Sequence, residues 1–121
     1  MNKRDTRKVP ENTLNVEKVI IPSTILFHPE LTARERLLFG ILDHLAKESP
    51  DGYVYATNVE LGKVLGLDPQ IVSNGVANLR RREFIEVEYG ITGPDGSIVY
   101  KRYDGNEQWS CTRRIRPIPQ D

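Results

Sequence analysis

Residues 68–82 carry side chains suited to directed hydrogen bonding: Gln70, Ser73, Asn74, Asn78 and Arg81. On a helix that turns about 100° per residue, Gln70, Asn74 and Arg81 share a line with Ala77, and Ser73 and Asn78 flank it. Val72, Val76 and Leu79 fall on the opposite stripe, with Gly75 beside them. A carboxamide offers a donor and an acceptor side by side and can bond both at the edge of adenine; a guanidinium can do the same at guanine. A face that only meets solvent is more often filled with Glu and Lys, which favour helix and solubility. Asn, Ser and Gly weaken a helix, so their use here has a cost. One reading is contact with base edges. The plain alternative is an ordinary exposed face built from poor helix formers. What precedes the segment favours the first.

Residues 57–65 read as a shorter helix. Thr57 or Asn58 caps its start, Val59, Leu61, Val64 and Leu65 are its apolar positions, and Gly66 stands where a left-handed residue lets the chain leave a helix. Asp68 then caps the next helix, and Pro69 fills its first position, where the missing N–H has no partner to lose. Helix, glycine turn and capped helix outline a helix-turn-helix, whose second helix can enter the DNA major groove. Thr57 and Asn58, at a helix N-terminus, are expected to help hold phosphate. Arg80 is expected to hold the backbone beside the reading face.

Upstream, Thr32-Ala33-Arg34-Glu35 is a capping box. It predicts a helix to about Lys47 with Leu37, Leu38, Ile41, Leu42 and Leu45 as its buried stripe. Gly40 within it marks the close approach of another element. His44 beside the stripe reads as a core-edge residue, since no second ligand is spaced to help it bind a metal. Before this helix, residues 16–21 read as an extended apolar segment packed on the domain. Residues 23–28 read as one helical turn anchored by Ile25, Leu26 and Phe27. After it come a turn at Ser49-Pro50-Asp51-Gly52 and a short strand over residues 53–56.

Beyond Arg80-Arg81-Arg82 the period changes to two: Phe84, Ile85, Val87 and Tyr89 are apolar, and Glu86 and Glu88 alternate outward. Gly93-Pro94-Asp95-Gly96 is a hairpin signal, with a return strand over residues 97–103 and a third strand over residues 109–116. Lys101 and Arg102 sit on or near the hairpin. There they either hold a DNA backbone or serve as ordinary edge-strand charges.

The fold class expected is α+β: a winged helix-turn-helix with a three-helix core and a small antiparallel β-sheet wing. Residues 1–15 form a flexible basic arm, 16–116 the winged-helix domain and 117–121 a C-terminal tail. A chain of 121 residues suffices for one domain with a modest core. Its 17 basic and 17 acidic residues balance to +0, which argues against a strongly basic nucleic-acid binder. The charges are nonetheless unevenly spread, with basic clusters at residues 1–8 and 101–116 and an acidic excess at residues 30–51. The single cysteine, Cys111, excludes an internal disulfide and fits a cytoplasmic protein. No apolar run approaches a membrane span or the core of a signal peptide. There is no phosphate-binding glycine loop and no metal or zinc-protease motif, so no enzyme activity and no cofactor are expected.

The order of elements and several local words resemble a known family. Ile21-Pro22, the helix opening at Leu31-Thr32-Ala33-Arg34-Glu35, Gly52-Tyr53-Val54-Tyr55-Ala56-Thr57-Asn58, Leu61-Gly62, Leu79-Arg80-Arg81-Arg82-Glu83-Phe84-Ile85 and Arg113-Arg114-Ile115 are similar to the N-terminal winged-helix domain of phage and plasmid replication initiators, the replisome-organiser or DnaD-like type. The resemblance spans roughly residues 19–116. Family members often carry a glycine between the recognition helix and the first wing strand; Glu83 stands there in this chain. The resemblance implies double-stranded DNA as partner and a role in replication initiation or transcription regulation on a phage, plasmid or other mobile element. A homodimer and a replication or host protein are the further partners it allows. The rival expectation is a protein-interaction module on the same scaffold, a replication accessory or a phage-borne inhibitor. Glu83, Glu86 and Glu88 favour this rival, because carboxylates near the DNA face would repel phosphate.

Overall fold

The computed structural model describes Leu14, residues 16–102 and residues 112–120. The rest of the expected N-terminal arm, and residues 109–111 of the expected third strand with Cys111, lie outside the described residues. Within them the chain is α+β, with four helices and one small antiparallel sheet.

The helices are α1 (Ser23–Leu26), α2 (Ala33–Glu48), α3 (Asn58–Leu65) and α4 (Pro69–Arg81). The cap residues fix where they start. Thr32 and Thr57 each accept the N–H of the glutamate three residues on, and Glu35 and Glu60 each accept the N–H of the cap residue, so both capping boxes are closed. Asp68 caps α4 through the Gln70 N–H at 2.8 Å, with Pro69 in the first turn. The sheet has the order β2-β1-β3, with β1 (Ile85–Thr92) between β2 (Ile98–Arg102) and β3 (Thr112–Pro117). Val87 lies opposite Ile115, and Gly90 lies opposite both Tyr100 and Thr112. The strand expected over residues 53–56 is reduced to one bridge: Val54 and Ile115 exchange N–H···O bonds of 2.7 and 2.9 Å. The described chain beyond the expected domain end is also engaged, since β3 includes Pro117 and the Ile118 N–H donates to the Phe84 carbonyl at 2.9 Å.

Ile25, Leu38, Phe39, Leu42, Leu61, Val72, Leu79, Ile85 and Ile115 form the centre of a single core. Two expectations about it are corrected. Of the three anchors in α1 and its end, only Ile25 is buried; Phe27 is 74% exposed and Leu26 40%. One helical turn can aim a single side chain inward, and that place falls to Ile25. In α2, Leu37 is 46% exposed while Phe39 is 1% exposed. The helix packs on α1, α3, α4 and β3 together. Its buried arc is therefore displaced toward Phe39, Leu42 and Ala46, and Pro22 and Pro117 border a groove beside Phe39 and Ala46. The extended segment rests on Gly40 as expected: a methyl there would sit 2.9 Å from Ile21 Cγ1.

Among the described glycines, Gly62 at the junction of α3 and α4 leaves the least room for a side chain. The Leu67 N–H donates to the Gly62 carbonyl at 2.9 Å. Gly66 holds the left-handed conformation, φ 71°, that this closure needs. A Cβ on Gly62 would overlap the backbone carbonyl of Leu67, which cannot swing aside as a side chain would. Gly62→Ala should therefore destabilise the protein by about 1–3 kcal/mol or more, in the range of over-packed cores, as measured by urea denaturation. A variant as stable as the wild type would mean that the two helices are not this close.

Candidate nucleic-acid interface

The apolar stripe of α4 determines which of its side chains face out. Val72, Val76 and Leu79 are buried against the core, so Gln70, Asn74 and Arg81 are exposed, and Ser73 and Ala77 are half-exposed beside them. Gln70 Nε2 donates to Asn74 Oδ1 at 3.1 Å, one helical turn away. The pair leaves the Gln70 carbonyl oxygen and the Asn74 amide hydrogens unsatisfied by each other. Together they form a composite acceptor–donor edge.

The two flanks of this face differ. On one side Asn78 is half-buried against the start of α2. Its Nδ2 donates to Glu35 Oε2 at 2.8 Å, and its Oδ1 accepts from Arg81 at 3.0 Å. A groove of about 380 Å³ lies along this flank, lined by Thr32, Arg34, Leu38, Ile71 and Asn74 among others. On the other side a smaller groove of about 140 Å³ separates α4 from the sheet, lined by Asn58, Ser73, Ala77, Arg80, Tyr89 and Arg113. The three consecutive arginines thus diverge: Arg80 lines the groove toward the sheet, Arg81 faces outward, and Arg82 pairs with Glu30 at 2.6 Å.

Thr57 and Asn58 are engaged within the protein. The Thr57 hydroxyl accepts the Glu60 N–H at 3.1 Å, and Glu60 takes the Thr57 N–H at 2.8 Å. A carboxylate therefore already answers the positive end of α3. Asn58 Oδ1 accepts from Arg113 at 2.7 Å, and the same guanidinium donates to the Ala56 carbonyl at 2.7 Å. Sequence reasoning did not assign Arg113. Its place on the alternation of β3 with Ile115, on the inner side of the sheet, was the available signal.

The strand register separates the charges of the hairpin. Residues of β1 alternate, with Ile85 and Val87 buried toward the helices and Glu86 and Glu88 on the opposite face. There Glu86 pairs with both Arg102 and Arg116, and Glu88 pairs with Arg114 at 2.6 Å. The Arg114 guanidinium lies between the rings of Tyr53 and Tyr100, 3.9 and 4.0 Å from their centroids. Arg102, expected on the DNA backbone, is thus spent on this outer face. Lys101 pairs with Tyr89 in the register and lies on the α4 side, exposed. The same outer face ends at Asp51, whose carboxylate accepts from the Tyr55 hydroxyl at 2.6 Å, the Tyr53 N–H and the Ser49 hydroxyl. These bonds, that of Tyr55 first, lower its pKa to about 2 and raise that of Tyr55.

Between α4 and β1 the Glu83 N–H donates to the Arg80 carbonyl and the Phe84 N–H to the Leu79 carbonyl, both at 2.9 Å. This is a Schellman closure, and it forces Glu83 to φ 64°. Among the described residues no other non-glycine residue has positive φ.

No family model matches the chain, and no curated protein or solved structure is significantly similar to it.

Two tests follow from this geometry. A left-handed side chain costs about 1–2 kcal/mol, and a glycine returns roughly 0.5–1 kcal/mol of that as unfolded-chain entropy. Glu83→Gly should therefore stabilise by about 0.5–1 kcal/mol in urea denaturation; a loss of stability would contradict the Schellman closure. Asp51 should titrate at about 2 in a carboxyl-resolved NMR titration. Its pKa is depressed on folding, so its contribution is complete above the ordinary 3.8 and declines as pH falls toward 2. Asp51→Asn should be less stable than wild type at neutral pH, and the difference should close in acid. A gap as wide at pH 2 as at neutral pH would contradict this.

Proposed function

We propose that this chain is a winged helix-turn-helix protein that binds double-stranded DNA, with α3 and α4 as the helix-turn-helix, α4 as recognition helix and the β1–β2 hairpin as wing. The outward face of α4 supports the reading: uncharged polar groups and one arginine, open to solvent, with Glu88 of the neighbouring strand paired with Arg114, and with Glu86, which shares a groove with Arg80, Arg81 and Glu83, paired with Arg102 and Arg116. Gln70, Ser73, Asn74 and Arg81 meet base edges in the major groove. Arg80 and Lys101, on the side of α4 that faces the sheet, hold the phosphate backbone. Thr57, Asn58 and Arg102 act chiefly within the protein, where their partners lie. The resemblance to replication initiators points to an origin-binding or regulatory role on a phage, plasmid or other mobile element. Among the described residues no helix is long and apolar enough to cross a membrane, which suits a cytoplasmic DNA-binding protein.

The hairpin tip favours a second reading. Ile98 and Val99 are about half-exposed there and Asp95 stands in the turn, a composition better suited to a protein surface than to phosphate. On that reading the chain is a protein-interaction module that uses its wing. A mobility-shift titration with mixed duplex at low salt separates the two. Binding at micromolar protein, followed by selection from a random duplex pool, is the outcome expected here. With the selected duplex, Asn74→Ala should cost about 1–3 kcal/mol and relax preference at one base position. Lys101→Ala should weaken all duplexes alike and reduce the salt slope by about one. No shift at micromolar protein would favour the interaction module.

A further inference from the structure

Asn78 was expected to face bases, and its surroundings give it another role. We propose that Asn78 is a positioning residue, a carboxamide relay through which the capping box of α2 fixes the guanidinium of Arg81 for reading one base pair. This rests on the DNA-binding reading above and adds to it a source of selectivity that lies off the recognition helix.

The chemistry of the chain of bonds allows one polarity. Glu35 is a carboxylate and can only accept; Arg81 is a guanidinium and can only donate. A carboxamide between them must turn its NH₂ to Glu35 and its oxygen to Arg81, as the 2.8 and 3.0 Å bonds have it. Glu35 is itself held. Its other oxygen takes the Thr32 N–H at 3.0 Å, while its own N–H donates to the Thr32 hydroxyl at 3.1 Å. The carboxylate cannot swivel without opening the start of α2. The relay therefore runs from a backbone-locked carboxylate through a half-buried amide to an exposed arginine. The Arg82–Glu30 pair ties the residue that ends α4 to the loop before α2, at 2.6 Å.

An unrestrained arginine on a helix surface samples many rotamers and must lose that freedom to make two parallel bonds with a base. Anchoring one nitrogen removes part of that loss in advance and leaves the other donors of the fork for a base. A guanidinium that can swing reaches phosphates as readily as bases, so the relay should affect preference among sequences more than overall affinity.

The test uses the whole protein and the duplex selected by the wild type, with each base pair varied in turn. Arg81→Ala should abolish the preference at one position. Asn78→Ala should reduce preference at that same position by roughly three- to ten-fold, the effect of one hydrogen bond, while binding to mixed duplex and the thermal midpoint change little. In an Arg81→Ala background, Asn78→Ala should do nothing further at that position. Glu35→Gln keeps the capping box, because glutamine also serves there. It loses the fixed polarity of the relay, and should also lower preference at that position. If Asn78→Ala lowers binding to every duplex alike, or costs preference at a different base pair from Arg81→Ala, the relay is refuted and the DNA-binding reading stands. If the wild type binds no duplex, both are overturned.

Discussion

The surface of α4 depends on how closely α3 and α4 approach at their junction. The Leu67 carbonyl passes over Gly62 at a distance that no side chain would permit, and the left-handed Gly66 returns the chain at once. With the turn this short, α4 has little freedom to roll about its axis. Its apolar stripe of Val72, Val76 and Leu79 must then meet Leu38, Leu61 and Ile85 in the core, and its polar side must face solvent. Propensity does little of this work. Asn, Ser and Gly within α4 are poor helix formers, and the helix is maintained by the Asp68 cap, the Schellman closure at Glu83 and the burial of its stripe.

Much of this was legible from residue order. The capping box at Thr32, the cap at Thr57 or Asn58, Gly66 and the Asp68-Pro69 start are local signals with local causes, and the helices begin where those signals stand; that Glu60 closes a second box at Thr57 was not read from the sequence. The hairpin turn followed from Gly93-Pro94-Asp95-Gly96, and the inward set of Ile85 and Val87 from period two. What sequence periodicity could not supply was which neighbours surround an element. Leu37 and Phe39 lie on opposite sides of the α2 stripe. Only the position of β3 and of the two prolines determines that the arc widens toward Phe39. The expected strand at residues 53–56 shrank to the Val54–Ile115 bridge for a similar reason, because pairing depends on a partner far along the chain.

The same limit applies to the candidate site. Helical geometry gave the direction of each side chain on α4 but not what waits there. Asn78 points about one flank away from the outward line, and the start of α2 happens to occupy that flank with Glu35. Arg102 and Lys101 are neighbours in sequence and read alike; the strand register sends them to opposite faces, one to Glu86 and one to solvent on the α4 side. Glu83, Glu86 and Glu88 raised the strongest sequence-level objection to a DNA face. Two of the three, Glu86 and Glu88, are on the far side of the sheet and paired with arginines. Glu83 stands at the end of α4, in a groove that Arg80, Arg81 and Glu86 also line, and in a backbone conformation that glycine would adopt without strain.

The balance of 17 basic and 17 acidic residues then has a local meaning. A chain with no net charge gains little from long-range attraction to a polyanion, and at physiological salt any such attraction fades within about 8 Å. Attraction must come from cations placed close to phosphate, and here several carboxylates stand behind arginines instead of among them: Glu30 behind Arg82, Glu86 and Glu88 behind Arg114 and Arg116. Such pairing limits indiscriminate adhesion to phosphate while leaving the uncharged amides of Gln70 and Asn74 free to form directional bonds. On the DNA-binding reading proposed above, a surface of this kind would favour discrimination between sequences over raw affinity, because each remaining contact depends on geometry and few depend on charge alone.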